Sequence, residues 1–238
     1  MTKLKNVLRI LKQPTKICID CFSEKYERSL RTLFNKDLST CDKCFNVFSI
    51  KFYSFKVLGF SCLSLYDYDD EFRSKLYQLK GCYDIVIAKS FLETYARELS
   101  ILYSGYIIVC APSSKEDDMK RGFNHVIEIF KILKLNLMEN VFYKEIAYKQ
   151  SDQKFDDRKN IEKVIKINNI DLKDKKILLV DDVITSGNTI KACLNLLLNS
   201  GVKHIKILTL SVSKHYNLKR ENMLKKAFKK LMKINKVD

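Results

Sequence analysis

The 238-residue sequence is poor in the residues that interrupt regular structure, and it lacks any long apolar run. It contains 6 glycines, 2 prolines and no tryptophan. No stretch approaches the uninterrupted apolar length of a membrane-spanning helix. The first 13 residues are a basic amphipathic stretch without the continuous apolar core of a signal peptide. We therefore expect a cytoplasmic protein without membrane insertion, whose length suits one medium α/β domain and a small appendage.

Positive charge is the strongest compositional bias of the chain. The formal net charge is +16 and the pI is near 9.4. Such an excess favours polyanionic partners such as nucleic acid. An AT-rich genome would produce the same excess of lysine, together with abundant isoleucine and asparagine and scarce glycine and proline. Composition alone therefore leaves open whether the charge marks a nucleic-acid surface.

The cysteines are expected to be thiols or metal ligands, because disulfides are rare in the cytoplasm. Four of the eight form two Cys-x-x-Cys pairs with 19 residues between them. Each pair offers two thiolates from one tight turn, and two pairs complete the tetrahedral four-cysteine site of a zinc ribbon. A redox pair or a chance spacing is the alternative. Four thiolates leave no open position for water, so the predicted zinc is structural. Its predicted ligands are Cys18, Cys21, Cys41 and Cys44.

A second motif lies in the last third of the chain. An apolar, β-branched run at 177–180 ends in Asp181 and Asp182, a hydroxyl-rich loop with one glycine follows at 185–189, and a helical pattern comes next. A buried strand, a turn of phosphate size and a helix N-terminus in one line present backbone N–H groups to an anion. Open α/β sheets also place their ligands at the carboxyl ends of strands. The motif predicts a phosphate site; an ordinary strand end before a helix cap or a receiver domain is the alternative.

Strand and helix patterns alternate through the rest of the chain. Because the strands are apolar throughout, the alternation predicts an α/β fold with a parallel sheet that is covered on both faces. The predicted helices cover 69–80, 85–102 and 123–135, and the predicted strands lie within 46–68 and at 106–110, 142–148 and 202–211.

The run at 177–189 resembles the signature of type I phosphoribosyltransferases, which bind phosphoribosyl pyrophosphate (PRPP). The family pattern is an apolar strand, two acids, an apolar pair and then Thr-Thr/Ser-Gly-x-Thr. The resemblance implies that Asp181 and Asp182 are catalytic and contact the ribose hydroxyls directly or through Mg²⁺, which prefers hard carboxylate oxygens. The implied PRPP-binding residues of the loop are Thr185, Ser186, Gly187, Asn188 and Thr189.

The chain from about residue 18 to 213 resembles the ComF family of competence proteins, which join an N-terminal four-cysteine zinc finger to a phosphoribosyltransferase domain. The resemblance implies a type I phosphoribosyltransferase fold with a small zinc ribbon. It implies three segments: a zinc-ribbon segment at 1–50, a phosphoribosyltransferase-like domain at 51–213 and a basic C-terminal helix at 214–238. Besides the two motifs, the matching stretches are Leu79-Lys80-Gly81, Ala111-Pro112, Arg121-Gly122-Phe123-Asn124 and, approximately, Gln150, Arg158 and Asn160.

By its position in the family, the pyrophosphate loop runs over 111–115. The implied pyrophosphate contacts are Lys115 and Arg121; an exposed loop charge without a ligand is the alternative. Three carboxylates at 116–118 lie where the family has a basic stretch, and His125 stands in place of its usual glutamine. The sequence therefore leaves open whether the chain catalyses a reaction or only binds a ligand.

The ComF resemblance implies a protein of natural competence that binds PRPP or a nucleotide phosphate with Mg²⁺ and handles incoming single-stranded DNA. It also implies a competence helicase and recombination-mediator proteins as partners. One alternative is an active phosphoribosyltransferase that transfers ribose 5-phosphate from PRPP to an unknown acceptor. Another is a non-catalytic module that binds a partner. The one-sided charge of the segment at 214–238 favours binding to DNA or to a partner over a lysine-rich helix packed on the domain.

Overall fold

The computed structural model describes residues 17–24, 38–47, 50–145, 164–213, 216 and 221–222. The chain forms two compact units, Met1–Val47 and Phe48–Asp238. In the first unit, α1 (Asp42–Phe45) follows a short turn closed by a bridge between Ile17 and Glu24. Within the described ranges, no helix is both long and apolar enough to cross a membrane.

The second unit contains a seven-stranded sheet, a separate pair of strands and the helices that cover them. Its elements, in chain order, are β1 (Ile50–Val57), β2 (Phe60–Asp67), α2 (Asp70–Gly81), a first 3₁₀ helix (Ile85–Phe91), α3 (Ala96–Leu102), β3 (Ile107–Cys110), α4 (Lys115–Arg121), α5 (His125–Phe130), a second 3₁₀ helix (Lys131–Leu133), β4 (Leu137–Met138), β5 (Phe142–Lys144), β6 (Ile165–Ile167), β7 (Lys176–Ile184), α6 (Asn188–Asn199), β8 (His204–Val212) and β9 (Glu221–Asn222).

The large sheet is mostly parallel, as predicted, and has one antiparallel edge. Its strand order is β4-β3-β7-β8-β2-β1-β9, and β5 pairs with β6 separately. The first five strands in this order are parallel neighbours, whereas β1 is antiparallel to both β2 and β9. The antiparallel edge follows from the two-residue turn at Leu58 and Gly59, whose φ angles of 48° and 87° are those of a type I′ hairpin. A loop this short cannot return the chain to form a parallel pair.

Both faces of the sheet are buried. Along β7, Leu178 and Val180 belong to a core beneath α2, α3 and α5, and Ile177 and Leu179 belong to a second core beneath α6. All four are fully buried. Successive side chains of a strand point to opposite faces, so these four residues alternate between the two cores.

The helix predicted over 85–102 is two helices, separated by a turn at 92–95. The Tyr66 hydroxyl donates to the carbonyl of Phe91, which a continuous helix would offer to the N–H of Tyr95. That N–H instead donates to the carbonyl of Leu92 at 2.9 Å. A long-range side chain therefore ends the first helix.

Part of the predicted C-terminal helix is a strand. Within 214–238, Glu221–Asn222 forms β9, which pairs with Tyr53 and Ser54 of β1. The part of the predicted helix at 223–238 lies outside the described residues. So do Gln150, Arg158 and Asn160.

Candidate functional site

The carboxyl ends of β2, β3 and β7 meet at one edge of the sheet, where the structure has a cavity of ≈ 340 Å³. The predicted acid pair and loop lie there. The lining residues come from the end of β2, from α2, from the segment after β3, from α4, α5 and β5, and from β7 with its following loop: Tyr68, Leu76, Lys80, Ala111, Pro112, Ser113, Ser114, Asp117, Arg121, His125, Val126, Lys144, Asp181, Asp182, Val183, Thr185 and Thr189.

The loop between β7 and α6 is a tight turn around Gly187. This glycine has φ +78°, and a Cβ added to it would lie 2.6 Å from the ring of Tyr216. Ser186 Oγ accepts the N–H of Asn188 at 3.4 Å, and Thr185 and Ser186 are exposed. α6 is 12 residues long, so the positive end of its dipole lies at this loop. The predicted strand, turn and helix N-terminus are thus present in one line.

The carboxylate of Asp182 is held by three donors. Its Oδ2 accepts Lys80 Nζ at 2.9 Å and lies 3.1 Å from His125 Nε2, and its Oδ1 accepts the N–H of Val183 at 2.7 Å. Burial alone would raise the pKa of Asp182. The hydrogen bond from His125 and the charge of Lys80 outweigh burial and hold this pKa well below its usual range.

Asp181 has the opposite electrostatic environment. Burial raises the pKa of Asp181 well above its usual value, and the neighbouring charge of Asp182 raises it further. Its Oδ1 accepts the N–H of Asp182 at 2.9 Å. In the free protein, therefore, Asp182 is the stable carboxylate, and Asp181 would gain from a cation or a hydroxyl donor placed beside it.

The segment after β3 differs from the loop predicted over 111–115. The chain turns into α4 at Lys115, and the Ser114 side chain caps this helix by accepting the N–H of Asp117 at 3.4 Å. The three carboxylates at 116–118 therefore lie in the first turn of a helix, where the dipole favours negative charge, and not in a pyrophosphate loop. The loop itself is limited to 111–114.

The two predicted pyrophosphate contacts lie in different environments. Arg121 lines the cavity, but its side chain is only 4% exposed and pairs with Asp118 at 3.1 Å. Lys115 is exposed and its Nζ lies 5.8 Å from the ring centroid of Tyr143. It lines a neighbouring cavity of ≈ 400 Å³ that shares residues 111–113 and Lys144 with the first.

Comparison with known proteins finds two kinds of relative. Residues 127–237 match the model of the phosphoribosyl transferase domain. Competence protein ComFC of Streptococcus pneumoniae (strain ATCC BAA-255 / R6) is 27% identical over 201 residues, which cover 82% of this chain and 86% of that protein. The chain is thus similar to ComFC, and its C-terminal part matches a phosphoribosyltransferase domain. The match and the mostly parallel sheet confirm the predicted fold class.

Solved phosphoribosyltransferases are among the structures that this chain resembles, at low similarity. A hypoxanthine phosphoribosyltransferase from Staphylococcus aureus is 16% identical, with a TM-score of 0.37, over 58% of this chain and 70% of that one. A purine phosphoribosyltransferase from Pyrococcus horikoshii is 22% identical, with a TM-score of 0.34, over 55% of this chain and 76% of that one.

Two lysines of this chain reach the cavity without having been predicted as site residues. Lys80, at the end of α2, contacts Asp182, and Lys144, on β5, lines both cavities. The sequence held a signal for Lys80, which lies in the matching stretch Leu79-Lys80-Gly81. The sequence held no signal for Lys144, because this lysine reaches the cavity only through the packing of β5 beside the end of β3.

In the first unit, the four predicted zinc ligands come together. The sulfur atoms of Cys18, Cys21, Cys41 and Cys44 all lie within 4.8 Å of one another. Cys21 and Cys41 Sγ are 3.8 Å apart, which is about the edge of a tetrahedron with Zn–S bonds of about 2.3 Å. The N–H of Cys41 donates to Cys18 Sγ at 3.3 Å. Cys21 also receives a hydrogen bond from Ser23, and this lowers its pKa to about 6. The donor set therefore fits a tetrahedral metal ion.

Proposed function

We propose that this protein binds PRPP, or a nucleotide phosphate, together with Mg²⁺ in the ≈ 340 Å³ cavity. The observation that carries the proposal is the convergence of the 185–189 loop, the N-terminal end of α6 and the acid pair on one cavity. A 5′-phosphate needs N–H and hydroxyl donors, and the loop offers both. A ribose diol needs acceptors, and the acids supply them.

The charged side chains around the cavity suggest which part of the ligand each would contact. Asp181 and Asp182 would hold the ribose hydroxyls and Mg²⁺, and the metal would offset the charge of the pyrophosphate. Lys80 and Lys144 add positive charge beside the acids, and Lys115 lies on the adjoining cavity wall. The protein's own contribution would be positioning and charge stabilisation.

Calorimetric titration with PRPP and Mg²⁺ tests this proposal. The parent should bind, and the Asp181→Asn/Asp182→Asn variant should lose tenfold or more in affinity, because each removed charged contact is worth about 1.5–3 kcal/mol. Asp174→Asn is the matched control, since Asp174 has a φ of +57° that asparagine also tolerates. The absence of heat from a folded parent would reject the proposal.

Transfer of ribose 5-phosphate to an acceptor is a second candidate function. It is favoured by the ≈ 400 Å³ cavity, which adjoins the first and is lined by Tyr143, three asparagines and two lysines. An acceptor held there would displace pyrophosphate from the anomeric carbon of PRPP. Release of pyrophosphate from PRPP in the presence of a panel of nucleobases and small acids tests this function. The absence of pyrophosphate release with every member of the panel would count against it.

We also propose a role in natural competence, with single-stranded DNA, a competence helicase and recombination mediators as partners; the similarity to a protein named competence protein ComFC supports the competence role. The net charge of +16 supports the same role. Binding of a labelled single-stranded oligonucleotide should then weaken steeply as salt rises, because displaced counterions scale with the number of phosphate contacts. A salt-insensitive or absent interaction would reject DNA handling.

We further propose that the four-cysteine cluster binds one structural Zn²⁺. With all four sulfurs as ligands, the ion would have no open position for water or substrate. Its effect would be on folding rather than on chemistry.

A further inference from the structure

The direction of the hydrogen bonds around His125 follows from the chemistry of Arg121. Arg121 Nη1 and His125 Nδ1 are 2.8 Å apart, and both side chains are buried. A guanidinium has only donors, so His125 Nδ1 must be the acceptor. A neutral imidazole that accepts at Nδ1 carries its hydrogen at Nε2. That N–H therefore donates to Asp182 Oδ2 at 3.1 Å.

This bond completes the set of donors that fixes Asp182. An ionised carboxylate has about four acceptor places, and Lys80, His125 and the N–H of Val183 fill three of them. The three donors come from α2, α5 and β7. The plane of the carboxylate is therefore held from three elements.

Arg121 is fixed in turn at its other side. Its Nε donates to the carbonyl of Asp117 at 3.0 Å and its Nη2 to Asp118 at 3.1 Å. Asp118 also accepts the hydroxyl of Ser113 and, at 3.0 Å, the amide of Asn124. A continuous chain of hydrogen bonds thus runs from the 111–114 segment to Asp182. Buried chains of this kind are rigid when all their members are satisfied.

We propose that Arg121 and His125 are positioning residues, which act through Asp182 and make no direct contact with PRPP. They join the orientation of the Asp182 carboxylate to the 111–114 segment, which lines the same cavity. The role of this chain in binding rests on the proposed function. The chain itself does not, so the two can fail separately.

The hydrogen on His125 can be observed directly by ¹⁵N NMR of histidine-labelled protein. The chain has 3 histidines, and the signals lost in His125→Gln assign His125. We expect an unprotonated Nδ1 and a protonated Nε2 in the free, folded protein. A protonated Nδ1 would overturn the proposal whether or not PRPP binds. The expected tautomer in a parent that fails to bind PRPP would reject the proposed function and leave the hydrogen-bond chain standing.

Substitutions of His125 test the effect on binding. Glutamine keeps one acceptor for Arg121 and one donor for Asp182, so His125→Gln should bind PRPP with Mg²⁺ within about threefold of the parent. His125→Leu removes both groups and should lose about tenfold or more in affinity. His204→Leu is the control, because His204 is exposed at the start of β8. Parent-like affinity in His125→Leu, or equal losses in the glutamine and leucine variants, would overturn the proposal.

Discussion

At the scale of single residues, Asp181 and Asp182 show how one residue type acquires two properties. They are neighbours on one strand and line the same cavity, but their partners differ. Asp182 meets the cation of Lys80 and the N–H of His125, whereas Asp181 lies beside the negative charge of Asp182, which raises its pKa further. Sequence reasoning identified the pair from a local motif and could not separate the two acids, because their partners lie on α2 and α5.

The two acids should therefore affect stability with opposite signs. In the free protein, Asp181→Asn should raise the free energy of unfolding by about 1 kcal/mol at pH 7. Between the ordinary pKa of aspartate and the raised pKa of Asp181, the folded state binds more protons than the unfolded state, so the parent loses stability as pH rises. The extra stability of Asp181→Asn over the parent should vanish below about pH 4. Urea unfolding of the parent and the variant without Mg²⁺, at pH 7 and below about pH 4, measures this difference in stability.

Asp182→Asn should lower the free energy of unfolding by about 3 kcal/mol at pH 7, because it removes the charged acceptor of the hydrogen bonds from Lys80 and from the buried His125. The pKa of Asp182 is lowered by folding, so its contribution is present above the ordinary pKa and is lost as pH falls toward the folded value. The difference from the parent should shrink in acid. Lys80→Met should cost less, about 1 kcal/mol, because the Lys80 side chain is 40% exposed and solvent screens the pair. Equal signs for the two asparagine variants would contradict this account.

At the scale of elements, the parts that were predicted correctly are those that local sequence determines. β7, its loop and α6 followed from an apolar run, two acids and a glycine. The break within 85–102 did not, because the hydroxyl that causes it belongs to Tyr66, on another strand. α4 did have a local signal, since Ser114 is a good N-cap, but the family pattern favoured a loop there. Lys144 reaches the site only through tertiary packing.

The turn at Gly187 gives the prediction that belongs to this scale. Gly187→Ala should destabilise the fold by about 2 kcal/mol or more, since it adds contact with the Tyr216 ring to the cost of a positive φ. Gly105→Ala is the matched control, because Gly105 also has φ +78° but nothing within 4 Å of an added Cβ. It should cost only about 1 kcal/mol. Chemical unfolding of both variants measures the difference. Equal losses would mean that Tyr216 does not constrain the turn.

At the scale of the whole molecule, the chain joins two units with different sources of stability. The second has a sheet with a core on each face. The first is Met1–Val47, and its described buried apolar residues are Cys18, Leu38 and Cys41. Chains this short seldom fold on a hydrophobic core alone. A structural zinc can supply on the order of 10 kcal/mol.

Removal of the metal should therefore affect the two units differently. Treatment of the zinc-loaded protein with a chelator should release one Zn²⁺ and collapse the amide signals of the first unit, while the unfolding transition of the sheet stays within a few degrees, since the sheet has its own core. Cys44→Ser should lose the metal, because it removes one of the four clustered sulfurs. Cys82→Ser should keep the metal, since Cys82 is exposed and outside the cluster. Loss of the sheet transition on chelation would show that the second unit depends on the first.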